Sequence, residues 1–302
     1  MSKLKGHIAM LSANIFWGLM SPIVKMVLAS GVVLPIVMVD FRVAGAAVMF
    51  WLLSIFMPKE HVPPRDLLLM AGASMIGILF NQGCFIIGVS LTSPGEASLI
   101  TTTMPMWVML LAWLILREPI TGKKVGGILL GATGAVILVL GNLNGSVRGA
   151  HPMFGDFVVM IAQLSYALYL TLYRNFIRRY SLVTLMKWMF LFASIVGLTA
   201  TSPWLLQTDW RGISAFEWGG MCYVMAVGTF LAYICIMIGQ KTLRPTVVGM
   251  YNYVQPVVAM FLGVWLGFDT ITIPKLIAIP LIFGGVYLVT KSKALPVDQD
   301  SN

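Results

Sequence analysis

Ten long apolar runs set what this chain can fold into. They cover roughly residues 8–28, 34–56, 67–89, 95–116, 124–141, 155–173, 182–205, 216–238, 246–267 and 273–290. Each is close to the about 20 residues a helix needs to cross the hydrocarbon of a bilayer. Within lipid the backbone must satisfy its own polar groups, so such runs span as helices. A transmembrane barrel would place a polar residue at every second position of a strand, and these runs do not alternate. Hydrophobic residues make up 59% of the 302 and charged residues 10%, against roughly 45–50% and about 25% in soluble domains. One soluble core of this size cannot hide that much apolar surface. The reading is an all-α integral membrane protein, and it excludes a soluble enzyme, a disordered chain and a disulfide scaffold.

The basic residues mark orientation. The net charge is +9, but the cations fall between apolar runs, where Lys and Arg set topology rather than bind nucleic acid. With the amino terminus cytoplasmic, the inner side holds Lys3, Lys5, Lys59, Arg65, Arg117, Lys123, Lys124, Arg174, Arg178, Arg179, Lys241, Arg244, Lys291 and Lys293. The outer side holds Arg148, Arg211 and Lys275, and Lys25, Arg42 and Lys187 fall within spans. An even number of spans also puts both termini in the cytoplasm. The start resembles a signal peptide, but its apolar stretch is too long and carries Pro22 and Lys25, so an uncleaved first span is expected. Cys84, Cys222 and Cys235 lie in apolar segments without metal-like spacing and read as packing residues.

The chain repeats itself. Pro94–Gly131 aligns with Pro245–Ile282 at an offset of 151, matching Pro94 to Pro245, Pro105 to Pro256, Glu118 to Asp269, Thr121 to Thr272 and Lys124 to Lys275. Gly77 falls on Gly228 and Gly134 on Gly285 at the same offset. Near the start an offset of 149 puts Gly6 on Gly155, Trp17 on Tyr166 and Lys25 on Arg174. Five spans per half is an odd number, so the second half enters from the opposite side. The expectation is ten transmembrane helices in two inverted five-helix repeats, an architecture of secondary transporters. The organisation follows as a first repeat over 1–142, a Gly/Asn/Ser-rich linker over 143–153, a second repeat over 154–292 and a cytoplasmic tail over 293–302.

Here the residues resemble a known family. Ala13-Asn14-Ile15-Phe16-Trp17-Gly18 with Lys25, Phe41-Arg42, the segment from Ser98 to Thr121, and Gly155-Asp156 with Ala167-Leu168-Tyr169 are similar in order to the motifs of the drug/metabolite transporter superfamily, EamA type. Departures stand at Arg117, where that family commonly has Gly, at Pro119, and at Asp269, where Glu is usual. The resemblance implies a ten-helix exporter of small metabolites, amino acids among them. It also implies a central cavity lined mainly by spans 1, 3, 4, 6, 8 and 9.

Polar groups deep in a span are costly and mark a pathway. In span 1, Trp17, Ser21 and Lys25 recur at four-residue spacing and share a face. A cation at Lys25 and its counterpart Arg174 near either mouth would attract a carboxylate. Span 3 offers Asn81 beside Gln82, and span 6 offers Gln163 and Tyr166. Adjacent amides on a helix point apart, so one of the span-3 pair faces the cavity. Span 8 offers Tyr233 beyond Gly228. In spans 4 and 9, Thr101 precedes Pro105, while Asn252 and Gln255 precede Pro256. Proline releases a carbonyl one turn earlier, and its recurrence in both halves reads as a gating kink. Hydroxyls, amides and rings suit a small zwitterion with an apolar side chain and not a polyanion. Asp40 and Arg42 read as a structural pair or a charge relay, Glu96 as a titratable group at the outer mouth, and Glu118 and Asp269 as caps of loops.

Enzymatic motifs are missing. There is no GxxxxGK loop and no HExxH, and His7, His61 and His151 lie at span edges or in loops. No cofactor or metal is expected. The partners are a small-molecule substrate and membrane lipids, not nucleic acid. The Gly127–Gly131 step leaves monomer and homodimer both open. The function read from the sequence is export of small metabolites, amino acids first, by alternating access in the cytoplasmic membrane. The alternatives are a carrier of phosphorylated or nucleotide-linked metabolites or lipids from the same superfamily, and a non-transport membrane protein.

Overall fold

A computed structural model describes residues 3–28, 30–91, 100–140, 152–265 and 271–292. Glu96, Asp269, Pro94, most of the linker and the tail lie outside the described residues, as do the side chains of Ser21 and Lys25.

The described residues form helices joined by short loops, with no strand among them. The first run forms α1 (Lys3–Leu28) and the second α2 (Pro35–Ile55). α3 (Pro64–Ser74) passes through a π-helical turn, Met75–Phe80, into α4 (Asn81–Leu91). α5 (Met104–Leu116) and α6 (Gly122–Leu140) follow. Then come α7 (Pro152–Leu172), the single turn α8 (Arg174–Ile177) and α9 (Leu182–Gln207). α10 (Ala215–Met225) runs through a second π turn, Ala226–Leu231, into α11 (Ala232–Thr242). α12 (Pro245–Met250) leads through a 3-10 turn, Tyr251–Tyr253, to α13 (Val254–Trp265), and α14 (Ile273–Thr290) closes the described chain.

Pro35, Pro64, Pro245 and Pro274 open their helices in the first turn, where the missing N–H costs nothing. Ser214 and Glu217 close a capping box at the start of α10. Among the described residues, six stretches are long and apolar enough to cross a membrane: Pro35–Ile55, Pro64–Phe85, Met153–Leu172, Leu182–Gln207, Ala215–Thr242 and Ile273–Thr290, with the shorter apolar Met104–Leu116 besides. Their lipid-compatible faces carry exposed Leu, Ile, Phe and Trp, such as Leu52, Leu114 and Trp204. This is a multi-pass membrane protein.

Several contacts recur at the spacing of the sequence repeat. The two π turns begin 151 residues apart. Gln82 donates to the Tyr233 hydroxyl at 3.4 Å, and the Tyr253 hydroxyl donates to the Thr102 carbonyl at 3.0 Å; both pairs are separated by 151 residues. α6 lies against α14 through Gly127 on Gly285 and Gly134 on Ala278. Large residues fill the centre between the helices, with Tyr253, Phe50, Phe190 and Met104 almost fully enclosed.

Candidate functional site

Both π turns release a backbone carbonyl, and in each a side chain from the opposite half of the chain takes it. Ser165 on α7 donates to the carbonyl of Ile76 at 2.6 Å, and Trp17 Nε1 on α1 donates to that of Gly228 at 2.9 Å. π turns concentrate at functional positions. Gly77 and Gly228 permit the approach: a methyl on Gly77 would meet the Tyr169 ring at 2.6 Å, and one on Gly228 the Met20 sulfur at 2.8 Å.

An aromatic and amide cluster stands beside these turns. The Trp17 ring meets Tyr233 edge-on, with centroids 6.0 Å apart, and Tyr233 meets Phe190 edge-on at 4.9 Å. Gln82 reaches the Tyr233 hydroxyl. Tyr166 and Tyr169 stack at 5.9 Å, and the Tyr169 hydroxyl donates to Gln240 at 3.3 Å. Buried polar atoms need such partners, because each one lost costs about 1–3 kcal/mol.

A second polar group joins α1 to the break before α13. Gln255 Nε2 donates to Asn14 Oδ1 and to Asn252 Oδ1, both at 2.9 Å. Asn14 is fully buried and donates to the Met10 carbonyl, while Asn252 donates to the Met104 sulfur at 3.0 Å. The prolines stand at matching breaks. Before Pro105 the chain makes a turn at Thr102-Thr103, and before Pro256 the helix tightens to 3-10. At the first break the Thr102 carbonyl is met by Tyr253 from the other half.

At one end of the helices, Glu118 sits buried among cations. It accepts from Lys124 at 3.0 Å, Arg174 at 3.3 Å and the Thr246 hydroxyl at 3.1 Å. The expected loop cap is therefore the centre of an ionic cluster joining both halves. Nearby, the Tyr180 hydroxyl donates to Asp66, Lys241 donates to the Tyr180 carbonyl, and Glu60 accepts the Ser181 amide. Sharing its proton with Asp66 pushes the Tyr180 hydroxyl up to about 12.

The residues singled out in the sequence fall in several places. Trp17 and Tyr233 touch one another, and Asn252 and Gln255 are bonded together. Asn81 turns from the cluster to the Ala162 carbonyl at 2.9 Å, and Gln82 is the neighbour that reaches in. Gln163 and Tyr166 are buried on α7, and Thr101 is half-buried before α5. Asp40 and Arg42 are not a pair. Two residues apart on a helix, they point different ways: Thr201 donates to Asp40, and Arg42 Nε donates to Thr229 at 2.9 Å. Asn14 and Gln82 complete the two polar groups; the 151-residue spacing of Gln82 and Tyr233 is the sequence signal for the latter.

Residues 4–140 and 153–291 each match the EamA-like transporter family. The chain belongs to that family. It is similar to YetK, an uncharacterized transporter of Bacillus subtilis, at 23% identity over 85% of this chain and 78% of that protein. It is also similar to YedA, an uncharacterized inner membrane transporter of Escherichia coli, at 26% over 97% and 96%. A solved crystal structure shares the fold with a TM-score of 0.81, covering 96% of this chain and 97% of that one at 18% identity. An EamA-like protein is a membrane transporter, so the polar and aromatic groups between its helices are candidates for a translocation pathway rather than a reaction centre.

Proposed function

We propose that this EamA-like protein exports small metabolites, amino acids first, by alternating access across the cytoplasmic membrane. In this reading ten helices form two inverted repeats, 1–142 and 154–292, joined by the linker 143–153. Both termini and the tail 293–302 are cytoplasmic, as the distribution of Lys and Arg favours. The observation that carries the reading is the contact of repeat-equivalent residues across the centre, Gln82 with Tyr233 and Thr102 with Tyr253. Residues related by a two-fold axis meet their own counterparts only near that axis, where inverted-repeat carriers hold substrate. The reciprocal capping of the two π turns by Ser165 and Trp17 supports the same axis.

In this mechanism the substrate lies among Trp17, Ser21, Thr101, Gln163, Tyr166, Tyr233, Asn252 and Gln255, with Gln82 taking the part expected of Asn81 and Lys25 at one mouth. The breaks before Pro105 and Pro256 act as hinges. Each break holds hydrogen bonds that exchange between halves when the repeats rock.

The test is counterflow in proteoliposomes. Vesicles loaded in turn with unlabelled amino acids, sugars, nucleosides or phosphorylated metabolites are followed for uptake of the labelled counterpart without an ion gradient. Accumulation with amino acids is expected. Accumulation restricted to phosphorylated or nucleotide-linked compounds would replace the amino-acid reading, and silence with and without a proton gradient would remove the carrier reading.

A further inference from the structure

Arg42 and Lys187 both lie inside membrane-crossing helices, and they are held differently. Lys187 on α9 sits over the Trp51 ring, 4.9 Å from its centroid, an ordinary arrangement for a cation near a membrane interface. Arg42, in the second turn of α2, is 6% exposed. Its Nε donates to the Thr229 hydroxyl in the second π turn, and Thr229 in turn donates to the Val224 carbonyl at 2.8 Å. Among the described residues no carboxylate pairs with Arg42, and its two terminal amino groups have no acceptor. Asp40, the acid next to it in sequence, is engaged by Thr201.

A guanidinium keeps its proton in proteins, so burial leaves the charge in place. Left without a counter-charge it is strongly destabilising. Its anchor Thr229 directly follows Gly228, whose carbonyl Trp17 holds, so Arg42 stands at the edge of the cluster formed by Trp17, Tyr233, Phe190 and Gln82. The four terminal N–H groups on its planar fork, unpaired among the described residues, match a carboxylate in two parallel bonds. The rings next to it suit an apolar substituent. A single such cation suits a single negative charge.

We infer that Arg42 is the carboxylate-binding residue of the transport pathway, so that the cargo is a small monocarboxylate whose apolar portion lies against Trp17 and Tyr233. This rests on the carrier reading and narrows it to acids, amino acids included. α2 thereby joins the pathway beside the spans expected from the sequence.

The test uses the full chain, purified, with the proteinogenic L-amino acids each set against its own carboxamide. Thermal unfolding reports binding, and counterflow in proteoliposomes reports transport. At least one acid should raise the melting temperature and exchange, while its carboxamide does neither. Arg42→Gln should melt at or above wild type without ligand, because the unbalanced charge is gone, and should lose apparent affinity for that acid by about thirtyfold or more. Arg42→Lys should keep part of the response, and Lys187→Gln, with the same change of charge, all of it. The inference is overturned if the carboxamide serves as well as the acid, if Arg42→Gln keeps wild-type affinity, or if no acid raises the melting temperature. Should Arg42→Gln fail to fold, the contrast of acid with carboxamide in wild type and in Arg42→Lys decides. Counterflow untouched by Arg42→Gln removes the subsite and leaves the carrier. Stabilisation by an acid without any counterflow does the reverse.

Discussion

Gly127 and Gly285 bring two helix backbones into direct contact: a methyl on Gly127 would lie 2.7 Å from the Gly285 carbonyl oxygen, and one on Gly285 2.5 Å from that of Gly127. Nothing flexible can yield there, so the helices themselves would have to part. Gly285→Ala is expected to destabilise by about 1–3 kcal/mol, the usual cost of overpacking. Gly126, one residue from Gly127, has open space where its methyl would go. Gly126→Ala should stabilise by about 0.5–1 kcal/mol through its helix propensity. Thermal unfolding in detergent checks both, and equal melting temperatures for the two variants would refute the packing account.

Glu118 and Lys124 are both almost fully enclosed. Removing one member of such a pair leaves the other charge buried, at a cost of about 3–5 kcal/mol. Glu118→Gln and Lys124→Met should each be destabilising to that extent. The double variant should recover a large part, since Arg174, about one-fifth exposed, can still reach water. Additive losses in the double-mutant cycle would show that the two charges do not depend on one another.

How far the molecule was legible in the sequence follows from what each signal reports. Apolar runs report burial in lipid or core, and they located most of the described helices within a few residues; the single turn α8 falls between two runs, and α5 begins at Met104 although its run begins at residue 95. The offset of 151 reports which residues play equivalent parts, and it anticipated the matching breaks before Pro105 and Pro256. It does not report contact. That Gln82 rather than Asn81 meets Tyr233 depends on a π turn that shifts the helix face by one residue, and π turns leave no periodic trace. Glu118 reads as a loop cap because its partners Arg174 and Thr246 are 56 and 128 residues away. Arg42 reads as a partner of Asp40 because sequence shows adjacency, while a helix turns neighbours apart.

Arg117 ends α5 with φ of 54°. That left-handed conformation costs an L-residue about 1–2 kcal/mol and glycine almost nothing. The Glu118 amide bonds back to the Ala112 carbonyl at 3.0 Å, so the turn is needed to aim Glu118 inward. Glycine, the residue that the family resemblance leads one to expect at this position, takes this conformation without that cost. Arg117→Gly should stabilise by about 0.5–1 kcal/mol after the added freedom of the unfolded chain is counted. A lower melting temperature would mean that the Arg117 side chain contributes more than its backbone strain costs.

Trp17 holds the Gly228 carbonyl of the second π turn while its ring rests on Tyr233. Trp17→Phe keeps an aromatic ring there and removes the donor. The stability loss should be about 1–3 kcal/mol, the penalty of an unmet buried acceptor. Counterflow should fall more than protein level does, because the π turn also positions Thr229 against Arg42. Ser165→Ala, the counterpart at Ile76, should show a loss of similar size. Transport at wild-type rates in Trp17→Phe would separate the π turn from function.

Glu60 fastens the loop after α2 to the start of α9, accepting the Ser181 amide at 3.0 and 3.2 Å through its two oxygens. Partial burial raises its pKa. That effect is outweighed by the bond from the Ser181 backbone, by those from the Thr184 and Ser181 side chains, and by the charge of Lys241, so the carboxyl titrates below its ordinary 4.5. A depressed folded pKa stabilises above the unfolded value, and that stabilisation disappears as the pH falls through the folded pKa. Wild type should therefore lose thermal stability below about pH 4.5, where the unfolded chain takes up the proton first. Glu60→Gln should melt lower at neutral pH and show a shallower decline on acidification. Curves that stay parallel from neutral to acid would assign the acid sensitivity to other carboxylates.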